Sequence, residues 1–111
     1  MDIIRQMFIP PLGTVIKLSC PWTFNLHRES RNWSMLEHFS LPTGYYDPKV
    51  QLVTIPFGAE LKIDRIYIKK SAPSYNSVTF SWLKHSIPLK RNLRFWAKLD
   101  EVNKIEFIIK E

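Results

Sequence analysis

Two stretches in the second half of the chain alternate between apolar and polar residues. From residue 77 to residue 82 every second residue is apolar, and the residues between them are Ser or Thr. The alternation returns from residue 94 to residue 99, where Arg94, Trp96 and Lys98 occupy the other positions. A period of two is the period of a β-strand that buries one face. Both stretches are therefore predicted to be half-buried strands, with Trp96 among the outward positions.

The segment IPFGAELKIDRIYIKK, residues 55–70, changes the parity of its apolar positions partway along. The apolar residues just before Asp64 are odd-numbered, and the isoleucines after Arg65 are even-numbered. Either a β-bulge at these two residues returns the apolar side chains to one face, or the strand crosses between two sheets and buries each face in turn. With a bulge, the outward positions include Lys62, Tyr67 and Lys69.

Proline and glycine are spread along the chain as single turn residues, which favours short strands joined by turns. With 111 residues, the chain is predicted to be one domain, 1–111. We expect an all-β fold of five to seven antiparallel strands in a small SH3-like barrel, with an OB-like barrel or a small sandwich as the alternatives. A short helix is compatible with residues 30–39, where Ser34 and Glu37 have the spacing of a capping box.

Two parts of the chain resemble each other. The stretches IPPLGTVIKL, residues 9–18, and IPFGAELKI, residues 55–63, each place a Pro-x-Gly turn before a strand that carries one lysine. This similarity is compatible with two half-barrel repeats, about 7–53 and 54–111. The alternative is that Pro-x-Gly before a strand is common turn chemistry.

The net charge of +6 is concentrated in one part of the chain. Residues 62–98 contain nine Lys and Arg residues and one acidic residue, Asp64, so nine minus one gives a balance of +8. A surface of this density attracts polyanions or an acidic protein face. The alternative is a solvated face that keeps a small sheet protein in solution.

The chain carries few groups for catalysis or metal binding. Cys20, His27 and His38 are soft ligand candidates, and no CxxC, HxH or HExxH spacing joins them. The three glycines do not form a phosphate-binding loop of the Walker or dinucleotide type. We therefore predict a protein that is not an enzyme and uses no cofactor or metal, in which Cys20 is a small core residue.

Aromatic residues are interleaved with basic residues between Ile66 and Lys98. Barrels that bind single strands combine a basic groove for phosphates with aromatic rings that stack on bases. The predicted function is a non-catalytic module that engages nucleic acid or an assembly that handles it. The alternative for Trp96 is a core position on the second face of a closed barrel. The predicted binding residues are Lys62, Arg65, Tyr67, Lys69, Lys70, Arg91, Arg94, Trp96 and Lys98.

The segments IPFGAELKIDRIYIKK, YNSVTF and RFWAKLDEVNKIEF resemble a pattern in small uncharacterised proteins of bacteriophages. The resemblance spans roughly residues 55–107. It implies an accessory protein in the cytoplasm of a bacterial host, where many such proteins bind and block a host enzyme or a defence complex. The alternative function is therefore an inhibitor of the anti-defence or anti-CRISPR type with an acidic protein partner. No stretch has the ~20 apolar residues of a membrane span, so no membrane partner is expected.

Overall fold

Seven β-strands and two short α-helices make up the part of the chain that the computed structural model describes, residues 10–44, 49–83 and 93–110. The strands are β1 (Val15–Leu18), β2 (Trp22–His27), β3 (Val50–Ile55), β4 (Glu60–Tyr67), β5 (Ser77–Trp82), β6 (Leu93–Lys98) and β7 (Phe107–Ile109). The helices are α1 (Trp33–His38) and α2 (Leu99–Val102), and 3₁₀ turns lie at Ser30–Asn32 and Pro73–Tyr75. The predominance of strands confirms the predicted all-β class.

All strand pairs are antiparallel, and they form two sheets. Five strands form the larger sheet in the order β6-β5-β4-β1-β7, and β2 pairs with β3 in the smaller one. Within the described residues, neither sheet closes on itself through hydrogen bonds. The strands therefore form two open sheets that pack on a shared core.

The larger sheet contains the β-bulge predicted at Asp64 and Arg65. Strand β4 stays in this sheet along its whole length, and its register against β5 shifts between Ile63 and Arg65. The extra residue changes the parity of the strand, so Ile66 packs against the core as Ile63 does. Tyr67 is exposed, as Arg65 is. The bulge therefore brings the outward side chains of both halves of β4 onto one face.

The core lies between the two sheets and is rich in aromatic rings. Trp22 stacks on Phe24 with ring centroids 4.0 Å apart, and Phe24 packs on Phe95 of the larger sheet at 5.6 Å. Every second residue of β5 and of β6 is buried, as the alternation predicts. Each large apolar side chain buried here contributes roughly 1.5–3 kcal/mol, which is what holds the two sheets together.

Cys20 is not part of this core, and the prediction of a core position is wrong. Its side chain is exposed, and the thiol donates a hydrogen bond to Glu106 Oε2 at 2.8 Å. This hydrogen bond raises the pKa of Cys20. The alternation that buries Leu18 ends with β1, because the chain bends at residues 19 and 20.

The two Pro-x-Gly turns have the same backbone geometry. Gly13 has a φ of 85° and Gly58 a φ of 84°. In each turn the residue after the glycine donates its N–H to the proline carbonyl, which defines a type II turn with glycine at its third position. These hydrogen bonds run from Thr14 to Pro11 and from Ala59 to Pro56. The strands that follow the turns, β1 and β4, pair directly with each other. The two half-barrel repeats stay a prediction.

The helical segment after β2 differs from its prediction in one detail. Helix α1 begins at Trp33 with Asn32 at the N-cap position, so Ser34 lies inside the helix. The predicted capping box of Ser34 and Glu37 is therefore wrong, and the Ser34 hydroxyl donates instead to the Arg94 carbonyl oxygen at 3.4 Å. None of the helices in the described ranges is long and apolar enough to cross a membrane.

Candidate functional site

The outer face of the larger sheet carries most of the residues predicted to bind. The pairing of β4, β5 and β6 places Arg65 opposite Thr79 and Thr79 opposite Trp96. The neighbouring row contains Tyr67, Ser77 and Lys98, and the row on the other side contains Ser81 and Arg94. The small hydroxyl side chains of β5 therefore run between the larger side chains of β4 and β6.

A groove of about 720 Å³ lies along this face. Ser77 and Thr79 form its floor because their side chains are shorter than the aromatic and basic side chains on either side. That difference in length makes the surface concave. The lining residues are His27, Glu29, Arg31, Arg65, Tyr67, Lys69, Tyr75, Ser77, Thr79, Trp96 and Lys98.

The loop between β4 and β5 contributes one end of the groove. Asn76 Oδ1 accepts a hydrogen bond from the Lys69 backbone N–H at 2.7 Å, which closes the loop. Pro73 begins the 3₁₀ turn and restricts its backbone, and Tyr75 ends that turn. The loop thereby brings Lys69 and Tyr75 to the groove. Tyr75 is 65% exposed and Tyr67 is 43% exposed, so both rings are accessible.

Trp96 is half-buried, and its ring already contacts protein groups. His27 stacks on the indole with ring centroids 4.7 Å apart, and Arg31 Cζ lies 5.5 Å from the indole centroid. The indole N–H donates to Glu29 Oε1 at 3.3 Å. Trp96 is therefore neither an exposed stacking platform nor a core residue, and it forms a wall of the groove.

Glu29 and Arg31 form an ion pair on this wall. The guanidinium of Arg31 binds the carboxylate through Nε and through one terminal nitrogen, the latter at 3.0 Å. The hydrogen bonds from Arg31 hold the pKa of Glu29 below its ordinary value, and the hydrogen bond to Glu29 raises the pKa of Arg31. An exposed pair of this kind contributes little to stability. Its effect is to keep Arg31 next to the Trp96 ring.

His27 belongs to the aromatic part of the groove rather than to its basic part. Burial lowers the pKa of His27, and the positive charge of Lys98 lowers it further. The imidazole is therefore neutral at neutral pH, and its ring extends the aromatic wall that Trp96 begins.

Asn32 anchors the segment 29–31 to β6. Its side chain is fully buried, and Oδ1 accepts a hydrogen bond from the Trp96 backbone N–H at 2.9 Å. Nδ2 donates to the carbonyl oxygens of His27 at 3.1 Å and of Trp96 at 3.4 Å. Because β6 is an edge strand, the amide replaces the hydrogen-bonding partner that a further strand would supply. Asn32 therefore holds His27 and Trp96 in one wall.

Asp64 balances part of the positive charge beside the groove. Its carboxylate accepts a hydrogen bond from the Ser81 hydroxyl and lies 3.5 Å from Arg94 Nε. Arg94 is thus in an ion pair. The basic groove residues without an ion pair among the described residues are Arg65, Lys69 and Lys98.

Five of the predicted binding residues line the groove, namely Arg65, Tyr67, Lys69, Trp96 and Lys98. Arg94 lies beside the groove. Lys62 pairs with Ser81 of β5 in the sheet but does not line the groove. Lys70 is exposed in the turn after β4 and does not line the groove either. Arg91 lies outside the described residues.

Six lining residues are outside the predicted binding set, namely His27, Glu29, Arg31, Tyr75, Ser77 and Thr79. Tyr75 has a local signal, because it lies in the turn that joins two strands of the groove. His27 and Arg31 come from β2 and the 3₁₀ turn after it. Nothing in the local pattern of these residues indicates that they reach β6.

The described residues contain no group of three His, Cys, Asp or Glu side chains that could hold a metal ion. Comparison of the chain with protein-family models, with curated proteins and with solved structures found no match. The chemistry of the groove is therefore the guide to function.

Proposed function

We propose that the protein is a non-catalytic binding module whose groove holds a single strand of nucleic acid. The observation that supports this function is the composition of the groove. Three basic side chains without ion pairs among the described residues, Arg65, Lys69 and Lys98, lie around two exposed tyrosine rings, Tyr67 and Tyr75. Basic side chains contact phosphates, and aromatic rings stack on bases at roughly 1–3 kcal/mol per base.

A single strand fits these features better than a duplex. Bases in a duplex are stacked on each other and present only their edges, whereas unstacked bases present the faces that Tyr67 and Tyr75 can cover. The floor from Ser77 to Thr79 spans two residue steps of β5, which is about 7 Å at roughly 3.3 Å per residue. The groove therefore suits a short segment, at the lower end of the roughly 4–16 nucleotides that single barrels occupy.

The proposal extends to the architecture and location of the protein. The bulged β4 and the helical turn α2 before the last strand support an SH3-like barrel, in which β2 and β3 cover one side. The exposed free thiol of Cys20 supports a reducing compartment. Together with the bacteriophage resemblance, it supports the cytoplasm of a bacterial host as the place of action.

The experiment is a titration of a labelled oligothymidylate by fluorescence anisotropy at several salt concentrations. For single strands, the logarithm of the binding constant falls with the logarithm of salt concentration, with a slope of about −0.7 per phosphate contact. Contacts from Arg65, Lys69 and Lys98 predict a slope of about −2. The double variant Arg65→Gln/Lys98→Gln removes two of these phosphate contacts, so its salt slope should be shallower by about 1.4.

The matched control is the double variant Lys17→Gln/Lys49→Gln. It removes the same charge from exposed positions that do not line the groove, so its slope should equal that of the wild type. If the groove variant and the control have equal slopes, the groove is not the binding site. Capture of a host protein that withstands nuclease treatment, without binding of any strand, would favour the inhibitor alternative.

A second pair of variants tests stacking. Tyr67→Ala should weaken strand binding by roughly 1–3 kcal/mol, because one base loses its ring. Phe57→Ala removes a ring that is more exposed than Tyr67, 67% against 43%, from a turn outside the groove, and should leave the affinity unchanged. Equal losses from the two variants would show that Tyr67 does not stack on a base.

A further inference from the structure

Three arginine side chains surround a smaller recess beside the groove. The recess has a volume of about 280 Å³, and its lining includes Arg31, Arg65 and Arg94 together with Thr79 and Trp96. Arg31 comes from the 3₁₀ turn after β2, Arg65 from the bulge of β4 and Arg94 from β6. The fold therefore gathers three guanidinium groups from three separate segments around Thr79, the middle hydroxyl of β5.

These guanidinium groups keep donors that no described residue uses. Arg94 lies near Asp64 through Nε, at 3.5 Å, and no hydrogen bond joins these two side chains in the described part of the chain. Arg31 uses Nε and one terminal nitrogen for Glu29, which leaves its other terminal nitrogen. Arg65 makes no ion pair with the described residues. Planar guanidinium donors in this number suit the several acceptor oxygens of a tetrahedral phosphate better than a single neutral acceptor.

Beyond the arginines the surface carries carboxylates as well as bases. A second recess is lined by Arg31 and Arg94 themselves together with Glu37, Ser34 and Ser81, and Ser81 is hydrogen-bonded to Asp64. A nucleic-acid backbone that continued past the arginines would bring its phosphates towards these carboxylates, which repel them. Towards Lys69 and Lys98 the groove is basic instead. We expect a bound strand to extend from the arginines towards Lys69 and Lys98, where the groove has further bases.

We infer that the three-arginine recess holds a terminal phosphate, so that the protein binds the phosphorylated end of a strand. This inference rests on the proposed function. An internal phosphodiester carries one negative charge, whereas a terminal phosphate monoester carries about −1.5 to −2 at neutral pH and has three strong acceptor oxygens. Because Arg31 and Arg94 are already paired with Glu29 and Asp64, the match to the terminal group lies in the number of hydrogen-bond donors, three guanidinium groups for three acceptor oxygens. Tyr67 and Tyr75 then stack on bases that follow this end.

The experiment compares strands that differ only at their ends. An oligothymidylate of about 12 nucleotides, within the range of single barrels, carries its label on an internal base and has a 5′-phosphate, a 3′-phosphate or hydroxyl groups at both ends. One phosphorylated strand should bind at least about tenfold more tightly than the hydroxyl-ended strand, since one additional charge-assisted hydrogen bond supports that ratio. The strand that shows the preference identifies the polarity.

Two variants separate the recess from the rest of the groove. Arg65→Gln should bring the ratio between phosphorylated and hydroxyl-ended strands close to one, and Arg65→Lys, which keeps the charge, should restore part of it. Lys69→Gln removes a charge from the opposite part of the groove, so it should weaken both strands equally and leave the ratio unchanged. A thermal melt of each variant establishes that these exposed substitutions leave the fold intact.

The outcomes distinguish this inference from the proposed function. Equal binding of all three strands by the wild type would overturn the terminal-phosphate site while the single-strand function stands. A ratio that survives Arg65→Gln would also overturn it. If no strand binds, both proposals fail together. The last comparison uses a phosphoserine peptide whose other side chains carry no charge. If it binds at least as tightly as the phosphorylated strand, the assignment to nucleic acid is overturned and the ligand of the recess is a phosphopeptide.

Discussion

The substitution Asn32→Ala removes the buried amide that joins the 3₁₀ turn after β2 to the edge of the larger sheet. The native side chain accepts from the Trp96 N–H at 2.9 Å and donates to the His27 and Trp96 carbonyl oxygens at 3.1 Å and 3.4 Å. Asn32 is fully buried, so water does not replace these contacts without rearrangement. Alanine leaves one backbone N–H and two carbonyl groups without this partner.

The expected loss in the free energy of unfolding is about 3–5 kcal/mol. Each of the two shorter hydrogen bonds contributes about 1 kcal/mol, and leaving a buried donor without a partner costs a further ~1–3 kcal/mol. The 3.4 Å contact adds little, because it lies at the long end of hydrogen-bond geometry. For a domain of this size, the loss corresponds to a fall in Tm of roughly 13–20 °C.

The assay is urea unfolding followed by tryptophan fluorescence, with Tm measured in parallel. The control is Asn25→Ala, because this half-buried asparagine on β2 makes no side-chain hydrogen bond to the described residues, so its loss should stay within about 0.5 kcal/mol. A loss below about 1 kcal/mol for Asn32→Ala would refute the reasoning. It would mean that the edge of β6 does not depend on the amide.

Two further predictions concern pH and the turns. Because the pKa of His27 in the folded protein lies below its ordinary value of 6.5, the unfolded chain takes up a proton first as pH falls, and stability decreases below about pH 6.5. His27→Phe keeps a ring against Trp96 and should show a shallower loss of unfolding free energy between about pH 7 and 5, whereas equal slopes would contradict this origin. Gly13→Ala and Gly58→Ala should each lose about 1 kcal/mol in urea unfolding, because positive φ disfavours a Cβ. An added Cβ meets no atom within 4 Å at either position, so unequal losses would contradict a purely backbone cost.

The elements of the larger sheet could be predicted because they depend on local patterns. The alternation in β5 and β6 follows from the two-residue period of any strand that buries one face. The parity change at Asp64 allowed a bulge or a crossing strand, and a bulge is what the strand has. The two glycine turns could be predicted from the sequence for the same reason, because a type II turn requires positive φ at one residue.

The groove itself depends on contacts that local patterns do not contain. Parity shows which face a residue occupies but not which strand lies beside it, so the pairing of β5 with both β4 and β6 had to come from the tertiary structure. Asn32 and Trp96 are 64 positions apart, and an asparagine before a helix is equally compatible with an exposed position. Only the packing of that segment against the open edge of β6 buries its amide. The same packing brings Arg31 and His27 to the indole, and this is why a residue that reads as outward in the sequence is half-covered in the fold.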